Sequence, residues 1–287
     1  MTALALPLLR HVAAVALVGR STRNFSVLRG IAVELFGSGN CNAVNPACVV
    51  TAPWGTQPPP TGALRALVNP ANPQLAGTHL SYFPRGGPLP ESPPPGVRGS
   101  SGWGGMDAGG SMLYPMQVVD GLTHMHAGAA LRTALSATKS NRLGQRCSVG
   151  RAVLTQSFEL KHFDVIAHTP TPFWQAANDL PKHHRWREEL IDCYLSSVLA
   201  VVNGAPLGVE YCKTQSLNKP SDANRVIFVA IPLLGSGAGG APFKEAARCA
   251  AEAVSRLRAQ SLQVQLEMRF VLNDADAFKE MGAVLAR

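Results

Sequence analysis

Arg225-Val226-Ile227-Phe228-Val229-Ala230-Ile231-Pro232-Leu233-Leu234-Gly235-Ser236-Gly237-Ala238-Gly239-Gly240-Ala241-Pro242-Phe243 is the stretch that orders the rest of the chain. Val226 to Ile231 is short, apolar and rich in β-branched residues, which predicts a strand buried on both faces. Phe243, Ala246, Ala247, Ala250, Val254 and Leu257 then recur at helical spacing, and Pro242 suits a first helical position. Between strand and helix lies a glycine loop. In that order, successive backbone N–H groups can converge beside the partial positive charge of a helix N-terminus. Residues without side chains let a phosphate approach the backbone. Gly235, Ser236, Gly237, Ala238, Gly239 and Gly240 are therefore candidate diphosphate ligands, although the same loop also serves as a plain strand-to-helix connection. It is neither a P-loop, since no Gly-Lys-Ser/Thr follows, nor the Gly-x-Gly-x-x-Gly dinucleotide fingerprint.

At 287 residues and 46% hydrophobic content the chain can build one large α/β domain. It has no run of eighteen uncharged apolar residues, so no membrane span is expected. The six cysteines form no CxxC pair and no regular framework. They read as reduced thiols, and a structural zinc site is not expected. The net charge of +8 favours an anionic partner. The aromatic-plus-basic clusters of nucleic-acid binders are missing, so nucleic acid is not the expected partner.

Residues 1–25 are rich in Leu, Ala, Val, Arg and Ser and contain no acid, the composition of a mitochondrial presequence. Arg23-Asn24-Phe25-Ser26 resembles the site at which such presequences are cut. The expected destination is the mitochondrial matrix, with the cytoplasm or nucleus as alternatives, and the folded domain is expected over 26–287.

Further along, strands are predicted at Ser26 to Phe36, Cys48 to Ala52, Leu64 to Val68, Arg151 to Phe158, Phe163 to His168 and Glu267 to Leu272. Helices are predicted from Val119 to about Leu135, from Trp186 to Val202, and after a cap at Asn273 or Asp274. Residues from about 84 to 115 are dominated by Gly, Pro and Ser and read as an insertion without regular structure. Trp103 within it could stack on a base or ribose, or simply be tucked into a surface loop. Strands alternating with helices argue a layered α/β sheet. Ligands of such sheets bind beyond the carboxyl ends of the strands. Four strands end in candidate ligand groups: Asn69 and Asn72, His168 and Thr169, the glycine loop, and Asn273 with Asp274.

Taken together, these segments resemble a macrodomain, the ADP-ribose-binding fold, from about Leu64 to the C-terminus. Leu67-Val68-Asn69-Pro70-Ala71-Asn72 resembles the family's Ile-Val-Asn-Ala-Ala-Asn. Val119-Asp120-Gly121-Leu122-Thr123-His124 resembles its Val-Asp-Gly-Ala-Ile-His, and Val165-Ile166-Ala167-His168-Thr169 its Val-Ile-His-Thr. Cys147 to Thr155 resembles the Cys-Pro-x-Gly-x-Ala stretch. Ile231 to Pro242 resembles the second phosphate loop, and Arg269 to Asp274 the last strand.

The resemblance implies a three-layer α/β/α sandwich around a mixed, mostly parallel sheet, and a cleft for ADP-ribose or an ADP-ribosylated protein. In hydrolases of the MacroD type the matching positions here would be catalytic: Asn72 and Asp120 beside the distal ribose, with His124 one turn on. Asn69, the glycine loop and Asn273 would bind substrate. Such enzymes release ADP-ribose from esters, on protein or on O-acetyl-ADP-ribose, without metal or cofactor; other members only bind. The residue types suit the task, since an Asn can orient a ribose hydroxyl and a carboxylate can position an attacking group. Each Asn could equally be a turn residue bonding its own backbone, and His168 reads as structural. The chain departs from the pattern in three ways. The insertion separates Asn72 from Asp120 and makes Asp107 a competing assignment. The Gly-Asp-Ile-Thr that supplies an adenine-binding Asp is absent. Gly239 and Asn273 stand where aromatics are common.

Overall fold

The computed structural model describes residues 31–37, 47–54, 58–78, 83–84, 112–113, 118–174, 180–204, 226–260, 262, 264–272 and 274–285. The expected presequence, Trp103, Asp107, Asn273 and nearly all of the 84–115 insertion lie outside these residues. In chain order the elements are β1 (Ile31–Gly37), α1 (Ala47–Thr51), β2 (Leu64–Ala71), β3 (Phe83–Pro84), β4 (Met112–Leu113), α2 (Val119–Ser136) and β5 (Val153–Gln156). They continue as β6 (Val165–Pro170), α3 (Leu180–Asn203), β7 (Val226–Ile231), α4 (Phe243–Arg258), β8 (Gln265–Leu272) and α5 (Ala275–Leu285).

Six strands form one sheet in the order β1-β8-β7-β2-β6-β5. All neighbours are parallel except β5, which runs antiparallel to β6. β7 is a central strand, as its sequence requires. Ile227, Val229 and Ile231 enter one apolar cluster with residues of α3, α4 and α5. Phe228 and Ala230 enter a second cluster with residues of α1 and α2. Alternate side chains of a strand point to opposite faces, so one apolar run serves both layers. Each fully buried Val, Ile or Phe contributes about 1.5–3 kcal/mol. The result is the expected α/β/α sandwich. A bidentate bond from Arg65 to Asp164 (2.7 and 3.1 Å) ties the start of β2 to the turn before β6.

Three local expectations are corrected. Of the expected strand Cys48 to Ala52, Cys48 to Thr51 lies in the short helix α1. Val49 and Val50 bury themselves against the α2-side cluster, so packing overrides the β-propensity of a β-branched run. The helix from Val119 is broken at Gly128, whose φ of 78° and ψ of −172° leave the helical region. A Cβ there would meet the Glu159 carboxylate at 2.5 Å, so the break and the glycine go together. Pro242 precedes α4 as its N-cap (φ −57°, ψ 138°) instead of opening its first turn. At α5 the cap is Asp274, whose Oδ1 accepts from the backbone N–H groups of Asp276 (2.8 Å) and Ala277 (3.1 Å). Cys147, Cys193 and Cys249 are buried free thiols.

Candidate active site

β2, β6 and β7 are parallel neighbours, so their carboxyl ends share one edge of the sheet. The glycine loop leaves β7 there. Its entry is held from below: the Leu234 N–H donates to the hydroxyl of Tyr194 on α3 (2.8 Å), a side chain with no exposed surface. Ser236 turns inward and its hydroxyl donates to the Leu233 carbonyl (2.7 Å). The loop closes through Gly240 N–H to Gly237 O and Ala241 N–H to Gly235 O, both 3.0 Å. Gly235 has a φ of +79°, which favours glycine. From the β6–α3 connection the Trp174 N–H donates to Gly239 O (2.8 Å), while the Trp174 ring packs edge-on against Trp186, centroids 4.6 Å apart. The amides of Gly237, Ala238 and Gly239 donate to no group among the described residues. That leaves backbone donors at the α4 N-terminus for an anion.

A polar cluster forms where β2 and β6 meet α2. Asn69 has no exposed surface, and its Nδ2 donates to Asp120 Oδ1 at 2.8 Å. The same nitrogen lies 3.2 Å from Nδ1 of His168, which is also fully buried. His168 Nε2 lies 2.9 Å from Thr155 Oγ1 on β5. The Thr78 hydroxyl donates to Asp120 Oδ2 at 2.9 Å. His124 Nε2 is 3.6 Å from Asp120 Oδ1, beyond a hydrogen bond. The His124 ring packs on the backbone of Gly77, where a Cβ would lie 2.8 Å from it. Burial pushes the His124 pKa below its ordinary value, opposed by the Asp120 carboxylate and assisted by Arg132. Burial, with His124 beside it, takes His168 down to about 3.

The expected meeting of Asn72 with Asp120 is corrected. Asn72 Nδ2 donates to Gly77 O (2.9 Å), and its Oδ1 accepts from the Ala76 N–H (3.1 Å). The side chain thus ties its own turn, whereas Asn69, inside the strand, reaches Asp120. Asp120 and His124 come together as expected on the first turns of α2. Thr78, Thr155 and Tyr194 carry bonds that the sequence did not announce. Thr155 shares a strand face with Val153, and Tyr194 occupies a core position of its helix, so both read as packing. Among the described residues no cluster of His, Cys, Asp or Glu could hold a metal ion, and no helix is long and apolar enough to cross a membrane.

Fold and site together define a three-layer α/β/α protein with a glycine loop and a buried Asn–Asp pair at one sheet edge. The family model described as Macro domain matches residues 108–250. A macro domain-containing protein of Caldanaerobacter subterraneus subsp. tengcongensis is 30% identical over 168 residues, 58% of this chain and 78% of that relative. One from Streptomyces griseus is 28% identical over 182 residues, 63% of this chain and 85% of the relative. Among solved structures, a Trypanosoma brucei macrodomain in complex with ADP superposes with a TM-score of 0.50 at 16% identity, covering 90% of this chain and 70% of that one. The chain belongs to the macro domain family.

Proposed function

We propose that this chain binds ADP-ribose and hydrolyses ADP-ribosyl esters, on a modified protein or on O-acetyl-ADP-ribose. One observation carries the reading. Three unengaged loop amides and a buried, doubly hydrogen-bonded carboxylate stand at the carboxyl ends of adjacent strands. The amides of Gly237, Ala238 and Gly239 take the diphosphate, and the helix N-terminus adds its partial charge. The ADP in the trypanosome macrodomain is in keeping with such a ligand. Asp120 lies toward the distal ribose and positions a water or ribose hydroxyl for attack, accepting its proton. Water is consumed, and the products are ADP-ribose and the freed carboxylate. Asn69 fixes Asp120, and His124 walls the same space.

A second reading, binding without turnover, is favoured by the engagement of Asn72 in its own turn and of Asp120 Oδ2 with Thr78. Calorimetric titration of ADP-ribose and an assay of ADP-ribose release from an ester-modified protein separate the two. The hydrolase reading requires binding and turnover in the wild type, with turnover lost in Asp120→Ala. Binding without turnover leaves the reader, and no binding removes both. Residues 1–25 support a mitochondrial destination, and a fluorescent protein carrying them that stays in the cytoplasm would overturn it.

A further inference from the structure

The polar row that ends at Asp120 begins two strands away. In the parallel register of β2 and β6, Asn69 pairs with His168. Paired residues of neighbouring strands share a face. Leu67 and Ala71, on the face of Asn69, and Ile166, on that of His168, all belong to the α2-side cluster. Val153 on β5 belongs to it as well, so Thr155 extends the same row. Thr155, His168, Asn69 and Asp120 thus run across three strands onto α2, none more than 6% exposed.

Hydrogen-bond valence allows this row one consistent arrangement. The Asn69 amide nitrogen has two hydrogens. One goes to Asp120 Oδ1, which as a carboxylate can only accept, and the other to His168 Nδ1. His168 Nδ1 must then be an acceptor, so its proton is on Nε2 and is donated to Thr155 Oγ1. Thr155 in turn donates its hydroxyl proton to the Gln156 carbonyl at 3.0 Å. In the other tautomer Nδ1–H would face the Asn69 amide hydrogens. Relieving that clash by flipping Asn69 would bring Oδ1 against the Asp120 carboxylate oxygen. Thr155 would also have to give up Gln156 to donate to Nε2.

We infer that His168 and Thr155 are positioning residues for Asp120: Thr155, its own proton committed to Gln156, accepts from Nε2–H and so reinforces the tautomer of His168 that the Asn69 amide requires, and that tautomer holds the Asn69 amide with its N–H on the carboxylate. Asp120 thereby keeps one oxygen fixed by a sheet residue and the other near Thr78. The inference deepens the proposed use of Asp120 and rests on it for its effect on turnover. The tautomer is a property of the free protein.

The test pairs Thr155→Val, which removes the acceptor at nearly constant shape, with Thr155→Ser, which keeps it. Long-range 1H–15N NMR of the histidine rings in the full chain reads the tautomer, and ADP-ribose release from an ester-modified protein reads kcat and KM. In the wild type and in Thr155→Ser, His168 is expected as a single neutral tautomer protonated on Nε2, unchanged between about pH 5 and about pH 8. In Thr155→Val the Nε2–H loses its acceptor, so that preference weakens and the Nδ1–H form becomes populated, and kcat falls about tenfold with KM within about twofold, as expected for loss of one buried hydrogen bond in the row. A wild-type His168 protonated on Nδ1 overturns the inference even if Thr155→Val does not fold. So does Thr155→Val with wild-type tautomer and kcat. If the wild type shows no turnover, the hydrolase reading fails by itself. The tautomer and the Asn69 side-chain amide signals, compared between wild type and Thr155→Ser or Thr155→Val, then decide the row.

Discussion

Replacing Gly239 by alanine would place a methyl group 2.6 Å from the carbonyl oxygen of Gly235 and 3.1 Å from its carbonyl carbon and Cα. All three are backbone atoms, so no side chain can swing aside. Ordinary contact begins near 3.4 Å, and the two strands of the loop must separate by roughly 0.8 Å. Neither is free to do so. The Gly235 carbonyl accepts from Ala241 N–H (3.0 Å), and the Gly239 carbonyl accepts from Trp174 N–H (2.8 Å). Overpacking costs about 1–3 kcal/mol and a lost hydrogen bond about 1 kcal/mol, so Gly239→Ala should destabilise by roughly 2–4 kcal/mol. That corresponds to a fall in Tm of about 5–10 °C. The displaced amides should also lower ADP-ribose affinity by at least about tenfold, which is about 1.4 kcal/mol. Gly237 supplies the contrast. It is exposed, and a Cβ there would have nothing within 4 Å. Gly237→Ala should unfold within about 0.5 kcal/mol of wild type. If the diphosphate rests on its amide, however, the methyl meets the ligand and affinity drops without a stability change. Thermal melts and calorimetric titration of both variants are the assay. A Gly239→Ala protein that melts and binds like wild type would refute the close winding of the loop. A Gly237→Ala protein with undiminished affinity would refute the diphosphate cradle.

Tyr194→Phe removes the acceptor of the buried Leu234 N–H. It should cost roughly 1–3 kcal/mol in urea unfolding, and an unchanged midpoint would show that the N–H finds another partner. Asn72→Ala deletes two bonds of its own turn, so a loss of about 1 kcal/mol of stability is expected. Abolished ADP-ribose binding at wild-type stability would restore Asn72 to the ligand. His168 stays neutral in the fold down to about pH 3, whereas in the unfolded chain it takes up a proton near 6.5. The unfolded state therefore binds more protons between those values, and the stability contributed at neutral pH is lost as pH falls, by up to about 1.4 kcal/mol per pH unit. Comparing wild type with His168→Gln cancels the carboxylates common to both. The difference in unfolding free energy should shift by about 2 kcal/mol between pH 7 and pH 5, and a flat difference would show a His168 that titrates normally in the fold.

The sheet was legible because β7 announces itself: a run buried on both faces has to be central, and the glycine loop and α4 follow from where it ends. What escaped was decided by packing. The β-branched Val49-Val50-Thr51 reads as a strand until the cluster it enters is known. Nothing local distinguishes Thr78 as a partner of a carboxylate 42 residues later. Asp107 resembles Asp120 in its glycine neighbours and lies outside the described residues, whereas Asp120 is seen in the polar row. The exchange of Asn72 for Asn69 is different, because strand parity already contained it. Leu67, Asn69 and Ala71 stand two apart in β2 and face one way, toward the helix that carries Asp120. Asn72 lies just past the strand, where two bonds of a turn set its direction. A side chain within a strand is aimed by the whole sheet, while one just past its end is aimed by a few local bonds. For holding a buried carboxylate in place, the sheet-borne amide is therefore the physically better candidate, even where a sequence motif gives both asparagines the same look.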